Sequence, residues 1–142
     1  MGKTGQKHID PQKHKRFEVT GVACEFLIKA ILIDRGFIVS TPDISTGYDF
    51  LTDWDDGIIN RIQVRSTNSP QKIPGSKRKR YNIPTVKRLG NYSVLIIHIQ
   101  PTKTSYVIPW TEIKNPTITF TIGLQSKYDK FKEAWELLKE TH

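Results

Sequence analysis

Three side chains that could act together lie on two neighbouring runs of the sequence. Asp49 belongs to a run rich in aromatic and aliphatic residues (48–54), and Gln63 and Arg65 belong to a second such run (58–67). The residues between the runs are Asp-Asp-Gly, which is turn chemistry, so the pattern predicts a β-hairpin. Because Asp is depleted in strands, Asp49 is a candidate for chemistry.

The register of this hairpin decides whether the three side chains meet. A three-residue turn with Gly57 in the left-handed conformation would place Asp49 opposite Gln63, with Arg65 on the same face of the sheet. A two-residue turn would shift this pairing by one. A carboxylate, a carbonyl oxygen and a cation on one rigid surface suit a metal ion and a phosphate. The alternative is that they form the solvated face of a half-buried sheet.

A predicted helix from Phe17 to Arg35, which Gly36 would end, adds a second carboxylate. Glu25 lies within this helix among apolar residues. Glu is rarely buried without a partner. It therefore either reaches water from the edge of the apolar stripe or points at the sheet and helps to hold a metal. The predicted stripe comprises Phe17, Val22, Phe26, Leu27, Ala30, Ile31 and Ile33.

Basic residues are concentrated in one long stretch. From Gly57 to Thr111 there is no acidic residue and there are ten basic ones. A solvated surface usually mixes both signs, so this stretch favours contact with a phosphate backbone. Its basic run can also be an import signal or only a mobile loop. The candidate DNA-binding residues are Lys77, Arg78, Lys79, Arg80, Tyr81, Lys87 and Arg88.

Composition agrees with a polyanionic partner. The chain has 142 residues, a net charge of +8 and a pI of about 9.6. The length fits one domain, and the charge favours nucleic acid, although a membrane surface or plain solubility would also explain it. We expect no membrane span and no signal peptide, because no apolar run is long enough. Cys24 is the only cysteine, which suits a reducing cytoplasm and a buried, inert thiol.

The remaining patterns complete the predicted fold. Residues 1–16 are expected to form a basic flexible arm, and 17–142 a single domain. We predict strands at 37–40, 92–99, 105–109 and 117–122, a basic loop from Ser69 to Arg80, and a closing helix that opens at Ser126. The order of elements predicts an α/β fold, with a mixed central β-sheet flanked by helices.

With these residues in place, the chain resembles the PD-(D/E)XK nuclease superfamily. The similarity rests on a helix glutamate, then Tyr48-Asp49-Phe50, then Gln63-Val64-Arg65-Ser66 on the next strand. Segments 106–109 and 126–128 are similar to the branch that contains a group I intron homing endonuclease. Archaeal-type Holliday junction resolvases share the same core layout.

The resemblance implies a role for each candidate residue. It implies metal-dependent hydrolysis of DNA, with Asp49 as the main metal-bridging carboxylate, Gln63 as a carbonyl ligand and Glu25 as a direct or water-mediated ligand. Oxygen ligands of this kind suit Mg²⁺ or Mn²⁺. The family has lysine where this chain has Arg65. Arginine keeps the charge and can clamp a phosphate, but it cannot shed a proton at usable pH.

Two main classes of function therefore stay open. The first is a metal-dependent endonuclease of homing or junction-resolving type, and the second is a module of the same fold that binds double-stranded or branched DNA without cutting it. An RNA-binding or membrane-surface protein is a third class, supported by charge alone. Because cutting two strands needs two sites or two visits, an enzyme of this size is expected to act as a homodimer or higher homo-oligomer.

Overall fold

Two β-sheets and one long helix form the fold. The computed structural model describes residues 11–44, 46–85 and 91–142, with side chains from residue 21. The elements are α1 (Pro11–Asp34), β1 (Ile38–Ser40), β2 (Phe50–Trp54), β3 (Ile58–Thr67), β4 (Gln71–Lys72), β5 (Lys79–Pro84), β6 (Val94–Ile99), β7 (Thr104–Pro109) and β8 (Thr117–Thr121). The central sheet has the order β1-β2-β3-β6-β7, and a smaller sheet has the order β4-β5-β8. Strands β3 and β6 are parallel and the other central pairs are antiparallel. The predicted α/β fold with a mixed central sheet is confirmed.

Strand β6 separates the two halves of the core. All six of its residues are buried. Val94 and Ile96 pack with residues of α1 on one face. Leu95 and Ile97 pack on the other face with residues of the smaller sheet. A strand covered on both faces needs an apolar residue at nearly every position, and the continuous run 92–99 therefore predicts it correctly.

Helix α1 begins at Pro11, six residues before the predicted start, so residues 11–16 are helical and do not belong to an arm. Residues 1–10 lie outside the described part of the chain. The helix ends at Asp34 and is followed by Gly36, which has a φ of +95°. There the N–H of Phe37 donates to the carbonyl of Leu32 at 3.0 Å, and the N–H of Gly36 to that of Ile33 at 3.0 Å. This pattern is a Schellman cap, so the predicted stop is confirmed.

The buried face of α1 is not the predicted stripe. Cys24, Ile28 and Leu32 are buried, whereas Phe26 and Ile33 from the stripe are 65% and 60% exposed. Apolar residues occur on nearly all sides of this helix, so periodicity alone does not single out the side that the sheet covers. Phe17 lies outside the residues whose side chains are described.

The hairpin of β2 and β3 has the predicted register. Trp54 pairs with Ile58 across the three residues of the turn. The left-handed residues are Asp55 and Asp56, with φ of 54° and 55°, and not Gly57 as predicted. Asp tolerates this conformation because its short polar side chain bonds locally.

The predicted basic loop is instead a second hairpin. Strands β4 and β5 pair antiparallel, and β5 continues into the smaller sheet through β8. The turn residues Pro74 and Gly75 lie between them, and Gly75 has a φ of +73°. The run of four cations therefore begins in the turn and ends on β5.

The predicted closing helix is wrong. Residues 126–142 form two short 3-10 turns, Asp129–Phe131 and Trp135–Lys139. Phe131 packs with the core of the smaller sheet, whereas Trp135 packs on the α1 side. One helix cannot bury its stripe on two opposite faces of a sheet, so the segment must break between them.

Glu133 makes this break. It has a φ of 52°, its N–H donates to the carbonyl of Ser105 at 2.7 Å, and its carboxylate accepts from the N–H of Ser105 at 2.8 Å. The same carboxylate accepts from the indole N–H of Trp135 at 2.9 Å. These contacts with β7 replace the helical hydrogen bonds of the segment.

The C-terminal segment is tied to the beginning of β3 by Asn60, which is fully buried. The side-chain amide of Asn60 donates to the carbonyl of Glu140 at 2.7 Å. Its oxygen accepts from the backbone N–H of His142 at 3.0 Å and from the hydroxyl of Ser93 at 3.3 Å.

Candidate active site

Asp49 is fixed to strand β3 by two hydrogen bonds. Its backbone N–H donates to the carbonyl of Ile62 at 2.7 Å, and its Oδ2 accepts from the backbone N–H of Val64 at 2.7 Å. The β2–β3 ladder ends at the pair Phe50 and Ile62. Beyond that pair, the Asp49 carboxylate takes the place of a backbone carbonyl. The two bonds lie on either side of Gln63, so the structure brings Asp49 and Gln63 together.

Gln63 and Arg65 share one face of β3, as predicted. They are both half-buried and align with Leu95 and Ile97 of β6, whose side chains face the smaller sheet. The Asp49 carboxylate accepts from the N–H of Val64 beyond the last pair of the β2–β3 ladder, so its Oδ2 lies near the plane of the sheet. The backbone bond of Asp49 to Ile62 continues the predicted register. An edge carboxylate is open to partners from both faces.

Glu25 approaches from the opposite face, where α1 packs. It is half-buried and its charge acts on Asp49. Its side chain is 30% exposed, and its Oε1 lies 3.3 Å from the Nζ of Lys29. The structure thus brings Glu25, Asp49 and Arg65 to one edge of the sheet.

Burial raises the pKa of Asp49, and the negative charge of Glu25 raises it further. The N–H of Val64 and the positive charges of Arg65 and Lys29 oppose this shift of the pKa. Burial disfavours a charged carboxyl, and a neighbouring cation favours it. A cation bound between the two carboxylates would therefore be stabilised by both of them.

Lys29 is the site residue that the sequence analysis missed. Its Nζ donates to Oγ1 of Thr41 at 2.8 Å while it pairs with Glu25, and its side chain is only 16% exposed. The signal was its spacing of four residues from Glu25, which places both on one side of a helix.

Cys24, next to Glu25, takes no part in this chemistry. Burial raises the pKa of its thiol to about 11, and the neighbouring charge of Glu25 acts in the same direction. The thiol therefore stays protonated at neutral pH, in agreement with its predicted inert role.

The oxygen atoms of this site suit a hard divalent cation. Within the described ranges, no three His, Cys, Asp or Glu side chains converge as a metal site. The candidate ligands are two carboxylates and the amide oxygen of Gln63, a set that fits Mg²⁺ or Mn²⁺ better than Zn²⁺. Nearby, the buried Nε of Arg65 has no hydrogen-bond partner among the described residues. Such a donor fits a phosphate oxygen.

The candidate DNA-binding residues divide into three groups. Lys77, Arg78 and Lys79 are exposed, and Arg80 is half-buried. Tyr81 is only 6% exposed and belongs to the core, so the prediction that it contacts DNA is corrected. Alternation along β5 turns Tyr81 towards the core, where the smaller sheet covers β6. The other two candidates, Lys87 and Arg88, lie outside the described residues.

No protein-family model matches the chain, and no curated protein matches it. Among solved structures, the chain is similar to a bacterial homing endonuclease, I-Ssp6803I. The TM-score is 0.66 at 17% sequence identity, over 86% of this chain and 90% of that chain. The likeness shows that the α/β fold, with its mixed central sheet and helix, is similar to that of a homing endonuclease. Within the described ranges, no helix has the length and apolar character needed to span a bilayer.

Proposed function

We propose that the chain is a metal-dependent DNA endonuclease with a PD-(D/E)XK-type site. The observation that carries this proposal is the position of Asp49. Its carboxylate is hydrogen-bonded to the strand that bears Gln63 and Arg65. The negative charge of Glu25, on the α1 side of the sheet, raises the pKa of this carboxylate. A half-buried carboxylate whose pKa is raised by burial and by a second carboxylate is a common feature of catalytic sites.

Glu25, Asp49 and Gln63 would hold Mg²⁺ or Mn²⁺. The ion, when bound, would polarise a phosphate oxygen and lower the pKa of a water molecule. Hydrolysis would add the hydroxyl of a water molecule to phosphorus, break one phosphorus–oxygen ester bond and leave the proton of that water on the departing oxygen. The guanidinium of Arg65 would bind a non-bridging phosphate oxygen, where it offsets the negative charge that develops during the attack.

The second hairpin would bind the DNA backbone. Lys77, Arg78 and Lys79, three of its four exposed cations, lie in a stretch without acidic residues. Phosphate contacts of this type supply affinity and orientation without reading sequence.

We also propose that the enzyme acts on duplex or branched DNA as a homodimer or higher homo-oligomer. One chain carries one set of Glu25, Asp49 and Gln63, whereas a double-strand break needs two cleavage events. A two-fold symmetric pair of chains would place one site on each strand.

A DNA-binding module without catalytic activity is the second candidate, and Arg65 is the observation that favours it. Arginine holds its proton at every usable pH. If the reaction needs a group at the position of Arg65 that orients or deprotonates water, the chain would bind DNA without cutting it.

Cleavage assays separate these candidates. The substrates are supercoiled plasmid, a four-way junction and a pool of duplexes with a randomised central segment, each with Mg²⁺ or Mn²⁺. The proteins are the unaltered chain, Arg65→Lys and Asp49→Asn, and sequencing of the new ends detects cuts at rare sites. Asp49→Asn is a matched variant, because an amide oxygen can still accept from the N–H of Val64.

We expect the unaltered chain to cut and Asp49→Asn to bind DNA without cutting it. Cutting by Arg65→Lys alone would identify the chain as a DNA-binding relative of a nuclease. Absence of cutting by both would overturn the enzyme proposal, and undiminished cutting by Asp49→Asn would remove Asp49 from the site.

A further inference from the structure

We propose that Lys29 is a catalytic residue that binds the scissile phosphate together with Arg65. This inference rests on the proposed endonuclease function and extends it, since it adds a cation from the α1 face to the one on β3. The Lys29 ammonium lies beside the edge of the sheet that carries Asp49, and its side chain is largely withdrawn from water.

The polar contacts of Lys29 with Glu25 and Thr41 use two of its three N–H donors. One goes to Glu25 at 3.3 Å and the other to Thr41 at 2.8 Å. The ammonium also lies 5.4 Å from the ring centroid of Phe26 and 5.6 Å from that of Phe50, the residue after Asp49. These contacts hold the charge beside the site and leave a donor for a phosphate oxygen.

The burial of Lys29 distinguishes it from an ordinary surface pair. Its side chain is 16% exposed, and lysine is seldom withdrawn from water to this degree. Lys139 forms a comparable pair with Glu136 at 2.9 Å, but their side chains are 34% and 76% exposed. Exposed pairs of that type contribute little to stability. Lys139 therefore provides a matched control for a lysine in a helical ion pair.

The two cations reach Asp49 from opposite sides. Lys29 comes from α1 on one face of the central sheet, and Arg65 stands on the other face of β3. Both of their charges act on the carboxylate of Asp49, which lies at the edge between them. A phosphate bound at this edge would meet a compact ammonium on one side and a planar guanidinium on the other.

Two measurements test this role. The first is the single-turnover rate of DNA cleavage at saturating Mg²⁺, for the unaltered chain, Lys29→Met, Lys29→Gln and Lys139→Met. Loss of one donor aimed at developing charge lowers the rate by about 100-fold or more, so we expect that loss in both Lys29 variants. Lys29→Gln keeps a donor for Thr41, which guards against loss of folding. Lys139→Met should cut like the unaltered chain.

The second measurement is the affinity for Mn²⁺ in the absence of DNA. Removing a positive charge beside Glu25 and Asp49 should tighten Mn²⁺ binding several-fold in both Lys29 variants. A lysine that only braces the helix would loosen the site or leave Mn²⁺ affinity unchanged. Lys139→Met should bind Mn²⁺ like the unaltered chain.

The outcomes separate this inference from the proposed function. Cleavage by Lys29→Gln at the unaltered rate overturns the role of Lys29 and leaves the endonuclease in place. Unchanged Mn²⁺ affinity in both Lys29 variants also overturns it, because the ammonium would then lie away from the carboxylates. If the unaltered chain cuts none of the DNA substrates, the endonuclease proposal fails and the role of Lys29 fails with it.

Discussion

The salt dependence of DNA binding should reveal which surface contacts the phosphates. Lys77, Arg78 and Lys79 are the exposed cations in the basic run of the β4–β5 hairpin. Each phosphate contact contributes about 0.9 to the slope of log affinity against log salt. Replacing all three by alanine should therefore reduce the slope by about 2.7. Between 50 and 200 mM salt, the affinity of the unaltered chain should fall about 40-fold more than that of the variant.

The assay is fluorescence anisotropy of a labelled duplex in EDTA, titrated at several salt concentrations. The control variant removes three cations from other parts of the molecule, Arg35, Lys114 and Lys139. Both variants lose the same charge, so a general effect of net charge would flatten both slopes equally. That result would refute the assignment of the hairpin, as would an unchanged slope in the hairpin variant.

Three other perturbations give defined outcomes. Because burial raises the pKa of Asp49, its ionised form lowers the stability of the fold. The stability that its protonated form contributes below its unfolded pKa is lost as pH rises through its folded pKa. Asp49→Asn should consequently raise the Tm at pH 7 but give no such gain at pH 3, and an equal gain at both would refute this reasoning. Asn60→Ala should lower the free energy of unfolding by about 2–4 kcal/mol, because buried partners lose their hydrogen bonds; a loss within about 0.5 kcal/mol in urea unfolding would contradict it. Ile28→Ala should lower the free energy of unfolding by about 2–5 kcal/mol in the same experiment. Phe26→Ala, at an exposed position, should lower it by less than about 1 kcal/mol. Equal losses in the two variants would mean that both sides of α1 are covered.

The hairpin was predictable because its signals are local. The composition of the turn and the alternation of the strands placed Asp49 beside Gln63. Counting residue pairs back from the turn gives the register without any information about tertiary contacts. The same local logic failed at Gly57, since either Asp or Gly can take the left-handed positions of a short turn. The burial of β6 could also be predicted from the sequence, because a strand covered on both faces is apolar at nearly every position.

The remaining errors concern what each segment packs against. The buried side of α1 could not be predicted, because apolar residues occur on nearly all sides of this helix. The segment after Ser126 has a helical pattern, but its two halves belong to opposite faces of the sheet, and Glu133 breaks it through contacts with β7. Lys29 was missed for the same reason. The sequence around a lysine does not show whether its ammonium group is buried against the protein or exposed to water.

The ties between Asn60 and the C-terminal segment also set an order of events during synthesis. Asn60 is made 80 residues before Glu140, whose carbonyl accepts from its amide. At about 5–20 residues per second, β3 would wait about 4–16 s for these partners. Throughout that time the side chain of Asn60 lacks the carbonyl of Glu140 and the N–H of His142. The contacts that hold the C-terminal segment to β3 therefore form only after that segment has been translated.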